Sequence, residues 1–212
     1  MNVGGDPVIR LLVCRHGEST ADLDPCCIEG SADFPLTDRG RRQAAALGAW
    51  VAARYRVSQI LTSPLLRARQ TAEAVAAATG VPFRLEQRLA ERSTGRLAGL
   101  LPEEADRLFP TEHPLPMHHR PPGGESYLDL YRRVAELWSL LSWDQRLDGQ
   151  TLLLLTHGGA GQAFMRAALG LPPGSPAAFA AADTGLHELH CEPRGSVRLV
   201  KFNYTLHLEG LE

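Results

Sequence analysis

The sequence predicts an α/β protein, a three-layer α/β/α sandwich around a mostly parallel central sheet. Short apolar runs alternate with segments of helical periodicity along most of the 212 residues, which is the pattern of parallel strands joined by helices. Residues 151–155 (TLLLL) are continuously apolar, as in a strand buried on both faces. The hydrophobic fraction of 44% is sufficient for a normal core. We therefore expect a single domain over residues 1–212.

Apolar runs mark the strands of this sheet. The predicted strands are residues 8–14, 57–61, 82–85 and 151–155. Near the end of the chain, residues 186–191 and 197–202 predict a β-hairpin.

Capping residues and apolar spacing mark the first two helices. Thr37 is a suitable N-cap for a helix in which apolar residues recur at helical spacing. Ser63 is expected to cap a second helix, with Pro64 in its first turn. That helix should end at Gly80.

The second half of the chain predicts two more helices. One covers residues 126–147 and is capped by Ser126, and the other follows His157 and ends near residue 170. Two segments lack regular periodicity, residues 15–37 and 90–124. The proline-rich part of the second segment, residues 95–121, is expected to form a lid-like insert over the site.

Arginine supplies almost all of the positive charge. Of the 22 basic residues, 21 are arginine and one, Lys201, is lysine. A GxxxxGK[ST] phosphate loop is therefore excluded, and a Schiff-base mechanism would have to use Lys201. Chemistry on anions would have to use arginine, histidine and backbone amides.

Net charge and hydropathy limit the partners. A formal net charge of −2 argues against a protein that binds nucleic acid or a membrane surface. There is no run of about 18 apolar residues, and residues 1–7 lack the order of a signal peptide. We therefore expect a cytoplasmic protein. The sequence leaves the oligomeric state open, with a homodimer as one option.

Cysteines and histidines form no metal-binding pattern. The four cysteines, Cys14, Cys26, Cys27 and Cys191, have no CxxC spacing. His113, His118 and His119, in the proline-rich segment, match no strong ligand spacing either. We therefore expect neither a metal nor a cofactor.

Two histidines follow apolar strands at equivalent positions. His16 comes after the first strand and His157 after the TLLLL strand, and each precedes a glycine. In parallel sheets, ligands bind beyond the carboxyl ends of the strands, so we expect the two loops to form one site. Imidazole is a nucleophile at neutral pH, Arg15 offers a planar fork, and the amide of Gly158 opens a helix. Together these groups indicate phosphate chemistry.

Several motifs in order resemble the histidine phosphatase superfamily, which includes the cofactor-dependent phosphoglycerate mutases. The signature-like stretch is residues 11–20 (LLVCRHGEST), and residues 35–43 (PLTDRGRRQ) look like the stretch that follows it. The remaining matches are residues 61–72 (LTSPLLRARQTA), 89–92 (LAER), 122–134 (PGGESYLDLYRRV) and 155–159 (LTHGG). The resemblance covers nearly the whole chain.

The resemblance implies a role for each matching residue. His16 would be the nucleophile that forms a phosphohistidine, and Glu91 would protonate the leaving group. Arg15, Arg67 and His157 would surround the phosphoryl group and stabilise its charge. Gly158 would add a backbone amide to the phosphate site. Arg92, beside Glu91, is a candidate for anionic groups of the substrate itself.

Two residues depart from the pattern of the family. Asp22 stands where the resemblance leads us to expect an asparagine that donates to phosphate, and Glu29-Gly30 stands for the usual QG. Each acid would oppose a phosphate charge by roughly 3 kcal/mol at about 6 Å and a dielectric constant near 20. The acids could pair with arginines, the loop could fold away, or the acids could bind a cationic or hydroxyl-rich part of the substrate. We therefore expect Asp22, Glu29 and Gly30 to affect substrate binding, and small, highly anionic substrates to be disfavoured.

The resemblance points to a phosphomonoester hydrolase acting on a small phosphorylated metabolite, and it leaves alternatives open. A phosphoglycerate mutase is the first, although only 34 positions separate Glu91 from Glu125 (125 − 91), which favours a phosphatase. A non-catalytic module that binds a phosphorylated ligand is the second. A phosphatase of phosphohistidine or phosphoproteins is the third, and it would need an open cleft.

Overall fold

The structure is a computed structural model that describes residues 8–23, 28, 30, 32–110, 115–192 and 195–211. The strands are β1 (Ile9–Arg15), β2 (Gln59–Thr62), β3 (Phe83–Leu85), β4 (Thr151–Thr156), β5 (Leu186–Cys191) and β6 (Val197–Tyr204). They form a six-stranded sheet in the order β3-β2-β4-β1-β5-β6. The first four strands of this order run parallel, and β5 and β6 form an antiparallel hairpin at one edge. The predicted mostly parallel sheet is confirmed.

Helices cover both faces of the sheet. They are α1 (Thr20–Leu23), α2 (Asp38–Arg54), α3 (Leu66–Thr79), α4 (Pro102–Leu108), α5 (Tyr127–Trp143) and α6 (Gly158–Ala168). One core cluster packs α2 and α3 on the sheet, and a second packs α5 and α6 on the opposite face. This arrangement is the predicted three-layer sandwich.

The central strands divide their side chains between these two cores. In β4, Leu152 and Leu154 face α5 and α6, whereas Leu153 and Leu155 face α2 and α3. Successive side chains of a strand point to opposite faces, so a continuous apolar run is what two covered faces require. All four of these leucines have 0% exposure.

Two of the predicted N-caps are confirmed and one is wrong. Thr37 accepts from the amide of Gly40, and Ser126 accepts from the amide of Asp129. Helix α3, however, has Leu65 as its N-cap, with no side-chain hydrogen bond. Ser63 lies before this helix and forms a backbone hydrogen bond to the sheet, in which its amide donates to the carbonyl of Leu155 (2.9 Å).

Two short helices lie in the segments predicted to be irregular. Helix α1 is a single turn after β1, and Asp22 accepts from both the amide and the hydroxyl of Ser19 at 2.7 Å. Helix α4 begins with Pro102, a residue favoured at the first helical position. The prolines of this segment argued against a helix in the sequence, yet Pro102 is compatible with one. Helix α5 ends at Trp143, before the predicted residue 147, because Asp144 caps a separate 3₁₀ turn.

Within the described ranges, no helix is both long and apolar enough to cross a membrane. The same ranges contain no group of three or more His, Cys, Asp or Glu side chains that could hold a metal ion.

Candidate active site

His16 lies directly after β1 and is 1% exposed. Its Nδ1 lies 2.7 Å from the carbonyl oxygen of Gly17, so the Nδ1–H tautomer donates there. Nε2 then carries the lone pair of the ring, and this lone pair accepts a hydrogen bond from Arg67 Nε at 3.1 Å. Burial, together with the charges of Arg67 and Arg15, lowers the pKa of His16 to about 3. His16 is therefore neutral at physiological pH.

Arg67 is 0% exposed and projects from the first turn of α3. Besides His16, its guanidinium donates to the carbonyls of Ala32 (2.8 Å) and Gly30 (3.2 Å). The hydroxyl of Thr71 donates to the Arg67 carbonyl and accepts from the amide of Gly17. Thr71 therefore connects the helix that holds the arginine to the loop that holds the nucleophile, and sequence reasoning missed it.

Arg15 occupies the last position of β1 and lies between two carboxylates. Its Nη2 donates to Asp22 at 2.7 Å, and its Nη1 lies 3.5 Å from Asp183 and donates to the carbonyl of Ala181 at 2.9 Å. Its Nε is buried and has no hydrogen-bond partner among the described residues. Burial raises the pKa of Asp183. Asp183 follows a long connection after α6, and no local sequence signal indicated it.

Hydrogen bonds and an ion pair compensate the negative charge of Asp22. One carboxylate oxygen accepts from Arg15 and the other from the amide and hydroxyl of Ser19. Burial alone would raise the pKa of Asp22, but the Ser19 hydrogen bonds and the Arg15 charge outweigh it and lower the pKa. The departure from asparagine is thus compensated by ion pairing, the first of the three alternatives.

His157 follows β4 and is 1% exposed. Its ring centroid lies 5.0 Å from that of His16, which confirms that the two loops meet. Its Nε2 lies 2.7 Å from Ser63 Oγ, and its Nδ1 has no hydrogen-bond partner among the described residues. Because Ser63 Oγ also accepts from the amide of Leu65, its hydroxyl proton can go to Nε2. Burial lowers the pKa of His157 well below its ordinary value.

Glu91 lies against the start of α6. Its Oε2 accepts from the amide of Gly159 at 2.8 Å, and its Oε1 accepts from the amide of Arg92 at 2.7 Å. A Cβ on Gly159 would come within 2.6 Å of Glu91 Oε1, so a larger residue there would displace the Glu91 carboxyl group. The positive end of α6 therefore holds the Glu91 carboxylate as well as facing the site. Open space surrounds the position of a Cβ on Gly158, the first residue of this helix.

Comparisons with known proteins agree with this arrangement. A sequence model of the histidine phosphatase superfamily (branch 1) matches residues 11–205 of the chain. The chain belongs to this superfamily. It is 30% identical over 208 residues to phosphoserine phosphatase 1 of Hydrogenobacter thermophilus, and the match covers 95% of each protein.

Other relatives in the superfamily are named for different substrates. The chain is 34% identical over 170 residues to a probable phosphoglycerate mutase of Salmonella choleraesuis, a match that covers 78% of this chain and 77% of the relative. The native structure of a mycobacterial glucosyl-3-phosphoglycerate phosphatase superposes with a TM-score of 0.77 at 26% identity. That superposition covers 92% of this chain and 99% of the other.

An ion pair fixes the Glu91 turn of this histidine phosphatase. Arg133, on α5, donates from Nε to Glu125 at 2.6 Å and from Nη2 at 2.9 Å. The same guanidinium donates to the carbonyls of Arg88 (2.8 Å) and Glu91 (3.2 Å), on both sides of the turn. Sequence reasoning did not assign these residues a role. The available signal was an arginine two helical turns after Glu125, on the helix that the GES motif begins.

A cavity of about 590 Å³ lies beside this turn, under the proline-rich segment, and we call it the side cavity. Its walls include Arg92, Thr94, Leu97, Ala105, Phe109 and Leu115. Gly30 joins it to the phosphate site, because a Cβ there would lie 2.1 Å from Thr94 Oγ1 while the Gly30 carbonyl accepts from Arg67. Gly30 has a φ of 45°, in the left-handed region that favours glycine.

The structure therefore brings some of the predicted site residues together and places others elsewhere. His16, Arg15, Arg67 and His157 meet around one point, with Glu91 at the start of α6. Arg92 lies in the wall of the side cavity, Gly30 contacts Arg67 through its carbonyl, and Asp22 contacts Arg15. Glu29 and His113 lie outside the described residues.

Proposed function

We propose that this chain is a phosphomonoester hydrolase that acts through a phosphohistidine on His16. The observation that carries the proposal is the His16 ring, which is neutral, hydrogen-bonded at Nδ1 and in contact with Arg67 at Nε2. A nitrogen nucleophile divides a difficult hydrolysis into two easier transfers.

In the first transfer, His16 Nε2 attacks phosphorus, and the bond from phosphorus to the alkoxide oxygen breaks. Glu91 gives its proton to that oxygen, so the role requires that Glu91 hold a proton when substrate binds. Arg67, Arg15 Nε and His157 Nδ1 stabilise the charge on the equatorial oxygens. Support for this assignment comes from the buried Nε and Nδ1 atoms, which lack hydrogen-bond partners among the described residues. The amide of Gly158 adds a donor at the start of α6.

In the second transfer, water attacks the phosphohistidine. Glu91, now ionised, accepts the proton of that water, and His16 leaves as the neutral imidazole. Phosphate is released and the enzyme returns to its starting state. Arginine, histidine and backbone amide donors supply the charge stabilisation that a metal ion would give, so we propose that neither a metal nor a cofactor takes part.

We propose a small phosphorylated metabolite as the substrate, bound with its phosphate on Arg15, Arg67 and His157. Arg15 forms ion pairs with Asp22 and Asp183, so less uncompensated positive charge remains for the substrate than the number of arginines suggests. This charge balance supports the expectation that small, highly anionic substrates are disfavoured. Gly30, Glu29 and Asp22 are proposed to shape this selectivity. We also propose that residues 1–212 act as one cytoplasmic domain with residues 95–121 as its lid, and a homodimer is the oligomeric state to test.

Rapid-quench labelling tests the mechanism. A ³²P-labelled phosphomonoester should leave acid-labile, base-stable label on the wild-type protein and none on His16→Ala. His118→Ala is the matched control, since it removes an exposed histidine of the proline-rich segment, and it should be labelled like the wild type. Absence of label together with phosphate release would contradict a phosphohistidine.

The products formed from 3-phosphoglycerate separate the phosphatase from the mutase. A hydrolase releases inorganic phosphate and glycerate, whereas a mutase returns 2-phosphoglycerate. Isomerisation faster than phosphate release would overturn the proposed hydrolase in favour of the mutase. A protein that binds phosphate but neither labels nor turns over any ester would be a binding module.

A further inference from the structure

The side cavity is larger than the leaving group of phosphoserine or phosphoglycerate, the small substrates for which two of the relatives are named. Its volume of about 590 Å³ lies within the range of roughly 300–1,000 Å³ that is usual for pockets binding drug-sized ligands. It begins at Arg92, whose amide donates to the Glu91 carboxylate. Since Glu91 is the proposed proton donor to the leaving group, this cavity adjoins the place where that group is released.

The walls of the side cavity are mainly apolar. Nine of its fourteen lining residues are apolar, and they include Leu97, Ala105, Phe109 and Leu115. Burying apolar surface stabilises a bound ligand in proportion to the area removed from water. A polyhydroxylated leaving group would lose its hydration there without gaining partners, which is unfavourable.

Two polar groups in the wall have no partner among the described residues. Thr94 is 8% exposed, and its buried Oγ1 makes no hydrogen bond. The Arg92 guanidinium makes no hydrogen bond or ion pair with any described residue, although its backbone amide does. The Thr94 hydroxyl is buried against Gly30 and does not face the cavity, so Arg92 is the polar group of this pair that a ligand can reach.

The remaining charges in the wall are compensated or solvated. Arg120 forms two hydrogen bonds of 2.7 Å with Asp129, so its charge is paired. Asp106 lies on the exposed side of α4, where solvent screens its charge. Arg92 is therefore the cation that remains for a ligand in the described part of the wall.

We propose that the side cavity binds the leaving group of the substrate, and that this group has an apolar, ring-sized body with one carboxylate that pairs with Arg92. The inference rests on the proposed phosphatase function and names the substrate class for the same site. Arg92 thus becomes a specificity residue.

A matched series of alkyl phosphates tests this proposal. The series comprises ethyl phosphate, 2-phenylethyl phosphate and 2-phenylethyl phosphates with a para carboxylate, carboxamide or aminomethyl group. The para group is remote from the scissile bond, so the esters differ little in intrinsic reactivity. We expect kcat/KM to rise at least about tenfold from ethyl to 2-phenylethyl phosphate, through apolar burial. We expect a further rise of about tenfold from carboxamide to carboxylate, through a charge-assisted hydrogen bond.

Variants assign the two parts of this preference. Arg92→Met keeps the apolar stem and should reduce the carboxylate-to-carboxamide ratio to about one. Ala105→Leu fills the cavity and should reduce the 2-phenylethyl-to-ethyl ratio. Each ratio is measured within one protein, so a partly misfolded variant does not distort it. Arg107→Met, which removes an exposed arginine from the same helix as Ala105, should retain both ratios.

Three results would overturn the inference. They are equal kcat/KM for ethyl and 2-phenylethyl phosphates, a preference for the aminomethyl ester, and an unchanged carboxylate-to-carboxamide ratio in Arg92→Met. In all three cases the esters are hydrolysed, so the proposed phosphatase stands. If the wild type hydrolyses none of the esters and takes up no acid-labile label, the proposed phosphatase itself fails.

Discussion

The phosphate site and the side cavity lie next to each other, and they are built in opposite ways. At the phosphate site, His16, Arg67 and His157 are at most 1% exposed, and protein groups hold most of their polar atoms. In the side cavity, the walls are mainly apolar, and Arg92 has no partner for its charge among the described residues. A rigid polar site suits a reaction that is the same for every phosphate ester. An open apolar wall suits recognition of the part that varies between substrates.

The largest effect should come from exchanging Arg67 for lysine. Arg67 contacts His16 and two backbone carbonyls at once, which needs the planar fork of a guanidinium. We expect Arg67→Lys to lower kcat/KM by about 10²–10³-fold, the usual cost of losing a donor to transition-state charge. The loss should be similar for every ester, because Arg67 is proposed to contact the phosphate group that all of the esters share.

Arg69→Lys is the matched control for this substitution. Arg69 lies two positions further along α3 and makes no hydrogen bond or ion pair with the described residues, so kcat/KM should change less than about twofold. A loss for Arg67→Lys that is confined to the larger esters would contradict the separation between phosphate site and side cavity.

The ion pair of Glu125 and Arg133 should give the next largest effect, because it fixes the turn that both regions share. We expect Arg133→Met to lower kcat by about 10–100-fold, since a displaced Glu91 transfers its proton less well. As a positioning effect, it should also change the pH profile of kcat, which a loss of folded protein alone would leave unchanged. Glu125→Gln and the double variant complete a mutant cycle in which the two losses should be strongly non-additive.

Arg132→Met is the control for this pair. It lies on the same helix, and its side chain is 72% exposed. It should keep the kcat and the pH profile of the wild type. Additive losses in the cycle would mean that Glu125 and Arg133 act independently, which would contradict the clamp on the Glu91 turn.

The sequence predicted the phosphate site better than the side cavity, for a physical reason. His16 and His157 follow apolar strands, and parallel strands bring their carboxyl ends together, so strand order alone placed them in one site. Thr71 and Asp183 act through contacts between distant segments, which leave no local pattern. The side cavity is lined by Ile28 and by residues within 92–110 and 115–122, where the prolines concealed α4, and its volume depends on packing that periodicity does not describe.

The smallest effect should come from Asp22→Asn, which tests whether ion pairing limits the affinity of the phosphate site. Asparagine can still accept from Arg15 Nη2, but it removes a negative charge close to the phosphate, so inhibition by inorganic phosphate should strengthen about tenfold. The pKa of Asp22 is below its ordinary value, so the wild-type carboxylate stays ionised at pH 5. The ratio of the inhibition constants of the wild type and of Asp22→Asn should therefore be the same at pH 5 and pH 7.

Asp38→Asn, at an exposed position on α2, is the control and should leave phosphate inhibition unchanged. Weaker inhibition in Asp22→Asn would show instead that the carboxylate holds Arg15 in its binding position. The Asp22–Arg15 ion pair would then strengthen the binding of phosphate.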